Sequence, residues 1–127
     1  AEKNARRLGI SAGFVESDLF GAVRGKYGMI VSNPPYIRTD EIKDHQEEVR
    51  LHDPVIALDG REDGLYYYRR IVRESRSYLE EGGALLFEIG CDQAEAVSGL
   101  MSGAGFSEIT VKKDLAGLDR VVSGVLK

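Results

Sequence analysis

The chain has a single cysteine, Cys91, and only two histidines, His45 and His52, among its 127 residues. One thiol forms no internal disulfide, and no histidine is placed in sequence to make Cys91 a nucleophile. The histidines stand seven apart with Asp44 and Asp53 nearby, a set that reads as solvated surface, so no metal is expected. No apolar run approaches the roughly 20 residues that span a bilayer. The amino end, Ala1-Glu2-Lys3-Asn4, has no apolar core of a signal peptide, so nothing points to export and a cytoplasmic location is expected. Long Lys/Arg runs are missing too, and with a formal net charge of -4 this argues against nonspecific nucleic-acid binding, which depends on neutralising phosphates. Repeats and low-complexity tracts are absent. What remains is room for one globular domain with one core.

The most informative residues present are Asn33-Pro34-Pro35-Tyr36, which come straight off the apolar run Met29-Ile30-Val31. An Asn side chain offers one carbonyl acceptor and one NH2 donor, whereas the two prolines bring backbone carbonyls without N–H groups. The loop is therefore rich in acceptors. A planar –NH2 needs two acceptors to fix both hydrogens; the Asn33 oxygen and a prolyl-segment carbonyl supply them, with Tyr36 against the planar group. The plainer reading is a strand followed by a proline-rich turn. Upstream, Ser17-Asp18-Leu19-Phe20 follows a short strand candidate at Phe14-Val15-Glu16. Ligands of open α/β sheets bind beyond the carboxyl ends of strands, which puts Asp18 and Leu19 on one rim with Asn33 to Tyr36. Asp18 can accept from the exocyclic amine of a base and Leu19 can cover its ring; the alternative for Ser-Asp is a helix cap.

Along the rest of the chain, Ala1 to Leu8 reads as the tail of a helix closed by Gly9. Lys26 to Ser32 reads as a strand, and 37–64 as a polar, broken stretch holding at most a short helix over 40–49. Loops of that length are usually functional. Leu65 to Leu79 carries an apolar stripe at helical spacing, stopped by Gly82-Gly83. Tyr66, Tyr67 and Tyr68 cannot all face one way on that helix; Tyr68 is assigned to the core. Ala84 to Ile89 is a buried strand ended by Gly90, Gln93 to Ala104 a helix, Phe106 to Val111 a strand and Asp119 to Leu126 a final strand. The last two have too little chain between them for a crossover, so they pair antiparallel or flank a common neighbour. Lys112-Lys113-Asp114 reads as a solvated loop, Asp59 and Asp63 as turn residues, and Glu88 as a structural hydrogen-bond partner more than a ligand.

Taken together, these motifs resemble the HemK/PrmC family, the S-adenosylmethionine-dependent methyltransferases that modify a glutamine of peptide-chain release factors. The resemblance runs from Ala1 to Lys127 through Ser17-Asp18-Leu19-Phe20, Val31 to Ile37, Pro54 with Ala57-Leu58, Asp63-Gly64-Leu65, Tyr68-Arg69, Leu86 to Gly90 with Gln93, and Lys113 to Gly117 with Asp119-Arg120. It implies that Asn33 and the Pro34 carbonyl hold the glutamine amide, that Pro35 belongs to the same catalytic segment, that Tyr36 packs on the amide, and that Asp18 and Leu19 meet the adenine of S-adenosyl-L-methionine, with Asn33 on the cofactor's methyl side. Asp53 before Pro54 departs from the family's usual Glu, and Arg61 from its glycine-rich turn.

The resemblance further implies an α/β fold, a truncated Rossmann-like class I methyltransferase sheet with strands 3 to 7 of a 3-2-1-4-5-7-6 order, the last antiparallel, flanked by helices. Residues 1–127 then form one partial domain, with the first two strands, their Gly-rich cofactor loop and a helical amino-terminal domain upstream. Such a piece is expected to bind cofactor weakly or not at all, to be inactive alone, and to self-associate through an exposed sheet edge or rearrange Ala1 to Gly25. The partner implied is a release factor. Two other functions fit parts of the pattern: methylation of adenine in DNA or RNA, whose amino group is equally planar, and a non-catalytic protein-binding domain using 37–64.

Overall fold

A computed structural model describes residues 7–9, 12–35 and 63–127. Among the described residues four strands and two helices follow one another as β1 (Tyr27–Ser32), α1 (Tyr66–Ser75), β2 (Leu79–Glu88), α2 (Ala94–Gly103), β3 (Phe106–Lys113) and β4 (Asp119–Leu126). The strands make one sheet in the order β1-β2-β4-β3. β1 and β2 are parallel, which the long connection containing α1 permits. β3 and β4 are joined by a five-residue turn, too short for a crossover, and pair antiparallel; β4 also runs antiparallel to β2. The chain's final strand therefore lies inside the sheet.

Register decides which side chains share a face. Ile30 and Ser32 of β1 stand beside Leu85 and Phe87 of β2, which stand beside Gly124 and Val122 of β4. This face carries the core: Leu85, Phe87, Val122 and Phe106 are buried with Tyr68, Ile71 and Val72 of α1 and Val97 and Met101 of α2. The Tyr68 ring meets Phe87 edge-on at 5.0 Å between centroids, a favoured aromatic geometry. On the opposite face Met29 and Val31 remain 59% and 69% exposed. β1 is thus an end strand with apolar side chains in solvent, the arrangement that invites pairing with another chain.

The structure corrects several expectations. Residues 12–17 form no strand, and Phe14 and Val15 are exposed, so the strand expected at Phe14 to Glu16 is not made. A strand exists only through a neighbour's hydrogen bonds, and none of the described residues pairs with this stretch. Four strands are therefore seen where five were expected. The helix expected over Leu65 to Leu79 ends at Ser75, where Ser77 and Tyr78 N–H groups close turns onto the Glu74 and Ser75 carbonyls. Leu79 instead opens β2. Gly82-Gly83 does not stop a helix; it forms a bulge within β2, where Tyr27 pairs with Leu79 but Met29 already with Ala84. Gly82 sits there at φ 81, a conformation open to glycine without penalty. Helix α2 is one residue shorter at each end than expected, and β3 runs two residues further, to Lys113. Gly9 has φ 69, as a residue closing a helix does. Tyr36, both histidines, Asp53, Pro54, Asp59, Arg61 and the short helix over 40–49 lie outside the described residues.

Candidate active site

Beyond the carboxyl end of β1 the chain continues as Asn33-Pro34-Pro35, with Pro34 buried, Pro35 half-buried and Asn33 exposed. Beside it opens a cleft of about 590 Å³, within the size range of small-molecule sites. Asp18 and Leu19 line it together with Ser32, Pro34 and Pro35, and Tyr67 of α1 belongs to the same lining. The structure thus brings together four residues singled out in the sequence, Asp18, Leu19, Pro34 and Pro35. Asn33 lies between two lining residues without itself lining the cleft.

The Asp18 loop is shaped by specific bonds. Ser17 Oγ accepts from the Ala22 N–H at 2.7 Å, and Gly21 and Val23 N–H groups donate to the Asp18 and Phe20 carbonyls. Within this turn Leu19 takes φ 53, a left-handed conformation that costs an ordinary residue roughly 1–2 kcal/mol. Tertiary contacts hold it there. Phe20 stacks on Tyr78 at 4.7 Å, and the Tyr78 hydroxyl donates to the Phe20 carbonyl. Arg70 of α1 donates from Nη1 to Asp18 Oδ1 at 3.3 Å and from Nε to Glu74 Oε2 at 3.2 Å. Burial pulls the Arg70 pKa down, but its bonds to Asp18 and Glu74 outweigh that and leave it raised. Sequence reasoning missed both Arg70 and Tyr67. Arg70 is 52 residues from Asp18, and no local pattern announces the pair; the tyrosine run signalled only that the three rings cannot share one face, and Tyr67, half-buried against the core, also lines the cleft.

The rim continues across the sheet. The Tyr68 hydroxyl donates to the Glu88 carbonyl at 2.7 Å, so the contact at Glu88 is made by its backbone. Gln93 accepts from the Gly90 N–H at 2.9 Å and donates to the Gly64 carbonyl at 3.3 Å, tying the chain before α1 to the end of β2. Asp63 accepts from Arg69 at 2.6 Å and from the Leu65 N–H, which together hold its carboxyl below the usual range. Arg120 donates to the Ile89 carbonyl and to Asp114. Asp114, expected in a solvated loop, instead accepts from the Leu118 and Ala116 N–H groups as well. The Leu118 bond is the largest cause of its lowered pKa.

No protein-family model matches the chain. A release factor glutamine methyltransferase from Agrobacterium fabrum is 45% identical over 125 residues, which are 97% of this chain and 43% of that protein. The chain is a homologue of the release factor glutamine methyltransferases. Another of these methyltransferases, from Geobacter sulfurreducens, is 44% identical over 98% of the chain and 44% of its own length. The chain spans less than half the length of these curated relatives. The crystal structure of a release factor-specific protein-(glutamine-N5) methyltransferase from Alicyclobacillus acidocaldarius superposes with a TM-score of 0.51 at 30% identity, covering 80% of this chain and 50% of that one. A methyltransferase from Pyrococcus furiosus gives a TM-score of 0.64 at 13% identity, covering 98% and 54%, a likeness of fold alone. The mixed sheet and its flanking helices are consistent with a class I, Rossmann-like methyltransferase fold.

Proposed function

We propose that the protein containing this chain methylates the side-chain amide nitrogen of a glutamine in a peptide-chain release factor, using S-adenosylmethionine. The observation that carries the reading is the single cleft shared by Asp18-Leu19 and Pro34-Pro35 in a homologue of the release factor glutamine methyltransferases. We infer as well that β1, β2, β4 and β3 correspond to the 4-5-7-6 portion of the 3-2-1-4-5-7-6 sheet, because order and strand directions agree.

The cleft suits the cofactor. Asp18 Oδ1 holds Arg70, and a carboxylate with about four lone-pair sites retains room to accept from an adenine amine. Leu19, pinned in its turn, stands beside the base. When bound, S-adenosylmethionine supplies an electrophilic methyl group on a sulfonium. In this reading Asn33, next to the lining residues Ser32 and Pro34, and the Pro34 carbonyl accept from the two amide hydrogens and aim the nitrogen, with Pro35 lining the same cleft; the resemblance assigns Tyr36, outside the described residues, to the amide plane. An amide nitrogen is a poor nucleophile because its lone pair is delocalised. Positioning therefore carries much of the catalysis. As the nitrogen becomes positive, the surrounding carbonyl oxygens favour the transition state over the ground state.

The test is transfer of labelled methyl from S-adenosylmethionine to a release factor by the protein at the relatives' full length. Label on the glutamine amide supports the reading. Label confined to adenine of a nucleic acid, or transfer to neither, overturns it.

A further inference from the structure

The turn between β3 and β4 lies on the same rim as the cleft. Ser32 of β1 stands beside Phe87, Glu88 beside Val121 of β4, and Val121 beside Lys112 of β3. With strands about 4.8 Å apart, the start of β4 is roughly 10 Å and the end of β3 roughly 15 Å from the end of β1. A specific protein interface covers about 800 Å² on each partner, a disc of roughly 16 Å radius. A folded protein that seats a side chain beside Asn33 therefore also reaches this turn.

The turn is built to hold a shape. Asp114 Oδ1 accepts from the N–H groups of Ala116 at 2.9 Å and Leu118 at 3.0 Å, and Oδ2 from Arg120 Nε at 3.3 Å. The Asp114 N–H donates to the Leu118 carbonyl at 2.8 Å, and the Gly117 N–H to the Asp114 carbonyl at 3.0 Å. Gly117 supplies the φ of 82 that closes it. On this fastened loop Leu115 is 109% exposed and Leu118 46%. A lone surface leucine is ordinary. Here two leucines project from a hydrogen-bonded turn on the ligand rim, where burying them loses little backbone freedom.

We propose that Leu115, with Leu118, is a docking point for the folded protein that carries the glutamine, engaging an apolar patch on it while the glutamine enters the cleft. The proposal rests on the reading of the cleft as the methyl-transfer site. Leu115 does not touch the reacting groups, so its replacement acts on capture of the whole protein and not on chemistry. The experiment compares Leu115→Ala and Leu115→Glu with the unmodified full-length protein on two substrates, a folded release factor and a short peptide containing the same glutamine. Glu81→Gln, an exposed position at the opposite end of β2, serves as control. The expected result is a KM for the folded substrate raised about tenfold, the effect of losing one interface anchor, with kcat and all peptide kinetics unchanged. Unchanged KM for the folded substrate, an equal change on the peptide, or an equal effect of Glu81→Gln overturns the proposal while leaving the methyltransferase reading intact. Absence of methyl transfer to either substrate by the unmodified protein overturns both.

Discussion

Gly82 and Gly83 sit side by side in the bulge of β2, yet replacing each by alanine is expected to have different consequences. A Cβ at Gly82 meets nothing within 4 Å, so Gly82→Ala suffers only from its φ of 81, a conformational penalty of about 1 kcal/mol. A Cβ at Gly83 falls 2.8 Å from the Glu80 carbonyl oxygen, 3.1 Å from Leu79 Cδ2 and 3.2 Å from the Gly28 carbonyl oxygen. Two of these are backbone atoms and do not swing aside. Overpacking of this kind costs about 2–3 kcal/mol, which at roughly 4 °C per kcal/mol lowers the melting temperature by about 8–12 °C, against about 4 °C for Gly82→Ala. The pressure on Gly28 also falls on β1, the strand that delivers Asn33. A displacement of about 1 Å there is expected to lower kcat on the order of 100-fold in Gly83→Ala, whereas Gly82→Ala keeps near-normal kcat. Paired thermal melts and single-turnover methyl transfer decide the matter. Equal melting temperatures for the two variants, or a larger kcat loss in Gly82→Ala, would refute the reasoning.

Asn33→Asp keeps an acceptor but loses the amide donor and introduces a charge; kcat is expected to fall by about 100-fold or more, with cofactor affinity changed far less, as steady-state kinetics beside calorimetric cofactor titration would show. Asp114 has a pKa below its ordinary value of 3.8, so its bonds contribute full stability above that value and lose it as pH falls from 3.8 toward the folded-state pKa. Acid unfolding of Asp114→Asn is accordingly expected to lack the part of the pH dependence that lies in this window. The 127-residue chain on its own is expected to associate through β1, and Met29→Lys with Val31→Lys to disperse it in sedimentation velocity; a chain that is already monomeric without those changes refutes this.

What was legible in the sequence followed from patterns that one physical cause dominates. The run Ala84 to Ile89 reads as a buried strand because the face holding Leu85 and Phe87 receives both helices, and the short link after Lys113 leaves β3 and β4 no option but antiparallel pairing. Pro34-Pro35 lies beyond the end of β1, where the rule for ligands of open sheets put it, whereas Asp18 and Leu19 line the same cleft without the strand from which their rim position was argued. Paired glycines, by contrast, are equally good signals for a helix stop and for a bulge, and only the pairing of Tyr27 with Leu79 distinguishes them. Phe14 to Glu16 has the composition of a strand but no neighbour among the described residues to make it one. The place of Arg70 and Tyr67 at the cleft depends on how α1 crosses the sheet, which no local spacing encodes; the run of three tyrosines said only that they cannot share one face. Asp114 was read from its charged neighbours, whereas its role is set by the N–H groups of the turn that follows it.

The placement of β4 between β2 and β3 has a bearing on how the chain is made. During synthesis the residues of β3 leave the ribosome before the strand that joins them to the sheet exists, because β3 touches β2 only through β4. Until the last eight residues of β4 are available, Phe106 has its partner Leu126 missing and the buried side of α2 lacks Val122. A premature stop before Asp119 would delete one strand and unmoor another, leaving β2 without its backbone partner along Ala84 to Glu88. Quality control therefore has a sharp signal to read in this architecture: a chain stopped just before β4 presents the surface of one half-built.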